Sequence, residues 1–275
     1  MAENTPLNAN PEKNDMNDAV APVPLIKKLT AELIGTFLLT FAILASVQNM
    51  ILLETNDFWL VCVTHGLVLG LVAFIYGPIS GGHVNPAVSF AFLLKKKMSI
   101  VEFVTYVIAQ CLGSFLAAMV VSGLFHVNFT DNFPKPKDLR IEVVWDGGLS
   151  YDHISCSGLC NAPVNEDLHL AAAFFTEVIG TFILILAVLA TADSNNKSLE
   201  SPIAKVTLLA FAIILAGTTV GKLTGFAINP ARDFAPRVWA SMFYGLNAFN
   251  LGFAWVPVVG PMVGSALAVG VKALH

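Results

Sequence analysis

The sequence predicts an all-α membrane protein: six transmembrane helices and two re-entrant half-helices, arranged as an inverted three-span repeat. Three observations predict it. Of the 275 residues, 56% are hydrophobic and only 12% are Asp, Glu, Lys or Arg, about half the charge of an ordinary globular domain. Six apolar stretches are each long enough to cross a bilayer, which takes about 20 residues as a helix. An internal duplication then divides the chain in two. The net charge of −4 carries no basic excess with which to neutralise phosphates, so nucleic acid is not an expected partner; the lipid bilayer is.

Residues 1–24 hold Asn, Asp, Glu and Pro without an apolar period and read as a disordered tail. They also lack the basic start and apolar centre of a cleavable signal. The first repeat, 25–125, contains apolar stretches at 27–49, 58–79 and 100–125. A loop occupies 126–168, and the second repeat, 169–275, contains stretches at 169–191, 203–222 and 250–273. Two shorter apolar segments, 86–94 and 230–241, are too brief to cross and have the size of re-entrant pieces. Lysines set the orientation, because they collect on the cytoplasmic side of short loops. Lys27, Lys28, Lys95, Lys96, Lys97, Lys197, Lys205 and Lys272 place both termini in the cytoplasm, and the plasma membrane is the first expectation, with an intracellular membrane as the alternative. Loop 126–168 then faces outward. It carries the glycosylation candidate Asn128 in the sequon Asn128-Phe129-Thr130, and Cys156 and Cys160, which form either a local disulfide or two free thiols.

The duplication is explicit. Ala31 to Leu44 reads AELIGTFLLTFAIL and Thr176 to Leu189 reads TEVIGTFILILAVL, with eight of fourteen positions identical. Asn85-Pro86-Ala87 returns as Asn229-Pro230-Ala231 after 144 positions, and Glu32 returns as Glu177 after 145. Three spans per half is an odd number, so the second half enters from the opposite face. A segment of ~10 residues reaches ~15 Å, about half of the ~30 Å core, so the two short segments can meet at the midplane. Asn is a favoured N-cap and Pro fits the first helical position, which makes both motifs helix starts. Two such starts face to face aim two positive dipole ends at one place, which repels cations. The Asn amides are then free to donate to a neutral hydroxylated permeant. Gly81-Gly82-His83-Val84 and Thr224-Gly225-Phe226-Ala227-Ile228 read as non-helical approaches, whose carbonyls are tolerated at membrane depth only where they line a wet cavity or are buried in protein.

Paired Asn-Pro-Ala motifs at the centre of an inverted three-span repeat resemble the aquaporin, or major intrinsic protein, family over about residues 25–274. The resemblance implies a right-handed bundle with one pore per subunit, assembled as a homotetramer, with no cofactor. Asp233, Arg237, Pro257 and Val258 resemble the aquaglyceroporin branch, which implies a passive channel for water and small uncharged polyols, principally glycerol. By distance from the two Asn residues, the resemblance assigns the narrowest point to His65, Gly217, Phe226 and Arg232. Arg232 would donate to permeant hydroxyls, Gly217 would leave room and Phe226 would face the carbon side of a polyol. His65 departs from the branch, which has a large aromatic there, and titration of His65 would make permeability depend on pH. Ala235 departs too, where the branch has Gly. The pore carbonyls would come from Gly81, Gly82, His83, Thr224 and Gly225. Glu32 and Glu177 are expected to brace the re-entrant loops, a proton relay being the alternative. A water-selective pore, a proton-coupled transporter and a scaffold with a closed pore are the competing functions. The sequence has no phosphate loop, nucleotide fingerprint or nucleophile beside a base, and reads as a non-enzyme.

Overall fold

A computed structural model describes residues 22–125, 159–162, 168–244, 248–249 and 252–274. Asn128, Cys156 and most of the loop at 126–168 lie outside the described residues. Among the described residues the structure is all-helical. α1 (Leu25–Leu52) and α2 (Phe58–Ser80) are followed by a short α3 (Pro86–Leu94) and by α4 (Ile100–Leu124). The second half repeats this order as α5 (Leu170–Thr191), α6 (Pro202–Thr224), α7 (Pro230–Tyr244) and α8 (Val256–Lys272), with a 3-10 turn at Lys197–Leu199 between α5 and α6.

Local chemistry sets the helix starts. The Asp57 side chain accepts from the Leu60 amide at 3.1 Å, and Ser99 with Glu102 forms a capping box on α4. Asn85 caps α3 through the Ala87 amide at 2.8 Å. The last helix is shorter than the stretch 250–273 suggests, at 17 residues, because residues 252–255 form turns and Pro257 sits in the first helical turn. α7 runs three residues past the expected end at 241, and Thr224 belongs to α6 rather than to the non-helical approach.

The halves pack as partners related by a pseudo-two-fold axis. α1 lies along α4 and α2, and α5 lies along α8 and α6 in the same way, while α2 and α6 join the halves. α3 rests on both α4 and α8, and α7 also rests on both. Each half-helix is thus held partly by the other repeat. The crossings of α4 on α1 and of α8 on α5 depend on Gly113 and Gly264. A Cβ on Gly113 would collide with the Leu33 carbonyl, and one on Gly264 with the Val178 carbonyl. Backbone cannot yield as a side-chain end can, so Gly113→Val is expected to destabilise the protein by about 1–3 kcal/mol. A melting temperature of the detergent-solubilised variant equal to that of wild type would contradict this.

Candidate functional site

The two connectors ahead of the half-helices turn through backbone that L-residues rarely adopt. Val84 and Ile228 have φ of 44° and 40°, and Phe226 has 39°. Two of these are β-branched, so the conformation needs outside support. Glu32 and Glu177, both fully buried, supply it. Glu32 accepts from Ser80 Oγ at 2.6 Å, the His83 amide at 2.9 Å, the Val84 amide at 2.7 Å and Gln110 Nε2 at 2.8 Å. Glu177 accepts from Thr224 Oγ1 at 2.7 Å, the Ala227 amide at 3.0 Å and the Ile228 amide at 2.8 Å. The positions match between halves except for Gln110. Buried carboxylates with this many donors satisfy the loops' otherwise orphaned amides.

The motifs meet where the dipole argument places them. Asn229 Oδ1 accepts from the amides of Ala231 at 3.1 Å and Arg232 at 3.2 Å, as Asn85 Oδ1 does from Ala87. Each amide nitrogen is only half free, which narrows the sequence reading. Asn85 Nδ2 donates to the Ile228 carbonyl and Asn229 Nδ2 to the Val84 carbonyl, each at 2.8 Å. One N–H of each side chain therefore ties the two loops together, and the second remains for a lumen. Pro86 and Pro230 open the two half-helices, and Ala87 and Ala231 are fully buried behind them. Ser265 Oγ donates to the Ala87 carbonyl at 2.8 Å, a tie from α8 absent from the sequence reading.

Asn85 and Asn229 line a cavity of about 760 Å³ that also touches His65, Thr191 and Lys205. Gly81, Gly82 and His83 border it; Thr224 and Gly225 do not. The Thr224 hydroxyl serves Glu177 instead. In the connection after α5, Lys272 and the Asn195 amide hold the Asp193 carboxyl below its ordinary pKa, and the 3.0 Å contact to Lys272 joins the α5–α6 connection to the end of α8.

At the other end of the half-helices the Phe226 ring lies 5.0 Å from the His65 ring and 5.8 Å from Phe58. A Cβ on Gly217 would stand 2.9 Å from Phe226 Cζ and 2.7 Å from Cys62 Sγ. Gly217 does make room, but the Phe226 ring takes it. Arg232 is 3% exposed and follows Asn229 by one turn of α7. Its Nη1 donates to Asn161 Oδ1, a residue that sequence reasoning passed over in the outer loop. Asn161 donates its backbone amide to Asp233 Oδ1 at 2.8 Å, and its carbonyl accepts from Arg237 Nη2 at 2.5 Å. Asp233 and Arg237, read above only as branch markers, form a buried ion pair at 2.6 Å. Arg237 also donates to the Ala248 carbonyl at 2.6 Å. Only their i, i+4 spacing was a signal for the pair.

The family model of the major intrinsic proteins matches residues 19–271. The chain belongs to the major intrinsic protein family. Among curated members, human "Aquaporin-9" is 34% identical over 252 residues, covering 88% of this chain and 80% of that one. The Escherichia coli "Glycerol uptake facilitator protein" is 31% identical over 241 residues, covering 86% and 83%. Among solved structures of the family, the aquaglyceroporin from Plasmodium falciparum superposes with a TM-score of 0.76 at 27% identity, over 90% of this chain and 95% of that one. As a major intrinsic protein the chain is an integral membrane protein. Pro257 sits buried in the first turn of α8 with Val258 beside it, half-buried. Cys62 and Cys111 are free thiols within apolar helices, whereas Cys160 is disulfide-bonded.

Proposed function

We propose that this major intrinsic protein is a passive channel for water and small uncharged polyols, glycerol above all, that excludes protons and ions. The observation that carries the reading is the pair of Asn side chains at the meeting point of two opposed helix starts, both on the wall of one cavity. Two positive helix ends converge there, each equivalent to about half a charge, so a cation meets repulsion where a neutral hydroxyl meets donors. The names of the relatives, a glycerol uptake facilitator and an aquaglyceroporin, agree with the solute class. In this reading His65, Gly217, Phe226 and Arg232 form the constriction, and Glu32 and Glu177 hold the loops that form the midplane. The lysine-bearing loops and both termini face the cytoplasm, the protein assembles as a homotetramer, and the plasma membrane is its place.

Reconstituted liposomes test it. Wild-type vesicles are expected to shrink and re-swell in a glycerol gradient and to show no proton current under a pH gradient. Gly217→His, which puts a side chain where the Phe226 ring now lies, is expected to reduce glycerol flux by tenfold or more with a smaller effect on water. Vesicles that pass water alone in the wild type would turn the reading to a water-selective pore.

A further inference from the structure

We propose that the side-chain amide of Asn161 sets the solute preference of the constriction, holding the Arg232 guanidinium through Oδ1 and offering its own Nδ2–H to a hydroxylated permeant. The proposal rests on the channel reading above and names a specificity residue within it.

The Asn161 backbone is fixed from both sides. Its amide is given to Asp233 and its carbonyl is taken by Arg237, so the residue moves only if α7 moves. The disulfide at Cys160 adds an anchor one residue away. With the backbone held, the side chain has little freedom, and it is 5% exposed. Oδ1 accepts from Arg232 Nη1. Asn161 Nδ2 and Arg232 Nε are both buried, and neither has a hydrogen-bond partner among the described residues. Buried donors without partners are rare in folded proteins and call for a missing partner. Here two of them sit on side chains that are bonded to each other.

Space for the amide is provided deliberately by the backbone. A Cβ on Gly225 would approach Asn161 Nδ2 to 3.0 Å, and Gly225 already has a φ of 79° that other residues resist. Phe226, the next residue, turns its ring toward His65 and Phe58. Two neighbouring donors match a small polyol, whose adjacent hydroxyl oxygens can accept from both. A single water can use only part of this pattern. Asn161 is a positioning residue for Arg232 and, through Nδ2, a direct contact for the permeant.

Asn161→Asp and Asn161→Ala separate these roles. The Asp variant keeps an acceptor for Arg232 and removes the donor; the Ala variant removes both. One hydrogen bond contributes about 1 kcal/mol, close to a fivefold effect in rate. In liposomes containing counted channels, Asn161→Asp is expected to lower glycerol permeability about fivefold and leave water within about twofold. Asn161→Ala is expected to lower the glycerol-to-water ratio at least as far. Asn161→Ser serves as the second variant should Ala fail to fold. A merely structural role would lower both permeabilities together and leave their ratio unchanged, which would overturn the proposal. Wild-type vesicles without glycerol flux would instead remove the channel reading beneath it.

Discussion

Replacing Glu177 with alanine is expected to abolish the folded channel. The substitution leaves the Thr224 hydroxyl and the amides of Ala227 and Ile228 buried without acceptors, at about 1–3 kcal/mol each. The total approaches the whole stability of a typical domain, about 5–15 kcal/mol. It also releases Ile228 from a φ of 40° that only its bonds sustain. Loss of the desolvated charge offsets part of this in either variant, and Glu177→Gln should be less damaging than alanine because its Oε1 still accepts from the loop donors. Gln still sets an NH₂ against one of the amides. At Glu32 the same change should be milder again, because Gln110 Oε1 is a buried acceptor with no partner among the described residues and can turn to meet the new amide. The expected ranking of melting temperatures is Glu32→Gln above Glu177→Gln above Glu177→Ala, with glycerol flux falling in the same order. A Glu177→Ala protein that melts and conducts like wild type would refute the bracing role.

Breaking the Asp233–Arg237 pair is expected to cost about 3–5 kcal/mol from either side, since the partner left behind is a buried, uncompensated charge. Asp233 is fully buried and Arg237 is 4% exposed. Asp233→Ala also orphans the Asn161 amide, and Arg237→Ala orphans the carbonyls of Asn161 and Ala248. The double variant should be clearly more stable than the sum of the two single losses, because it removes both charges together. Each single variant should also lower the glycerol-to-water ratio, as the Asn161 backbone loses its hold. Strict additivity in thermal unfolding of the solubilised protein would show that the two residues act separately.

The parts of this protein that were legible in the sequence are those that physics writes locally or twice. Span length, the Asn-Pro helix starts and the Glu32/Glu177 duplication need only a short window or a comparison of the two halves. The cross-ties from Asn85 to Ile228 and from Asn229 to Val84 were not legible, because they join residues about 144 apart and depend on which amide hydrogen faces which loop. The filling of Gly217 by Phe226 follows from a backbone turn that puts a non-glycine residue at positive φ, a choice made by Glu177 rather than by local propensity. Asn161 gave no signal because its importance comes entirely from Asp233, Arg237 and Arg232, which lie more than 70 positions downstream. The start of α8 at Val256 was hidden by an apolar run that continues upstream of the helix.

The reciprocal ties at the midplane also bear on the order of synthesis. When the first repeat leaves the ribosome, the Val84 carbonyl and one Asn85 amide hydrogen have no lasting partner, since both belong to residues made more than 140 positions later. Until Ile228 and Asn229 arrive, the first re-entrant segment sits in the bilayer unfinished, and a helix inserted early must tolerate later rearrangement. The midplane ties are therefore completed only when the two halves dock, and not within either half alone.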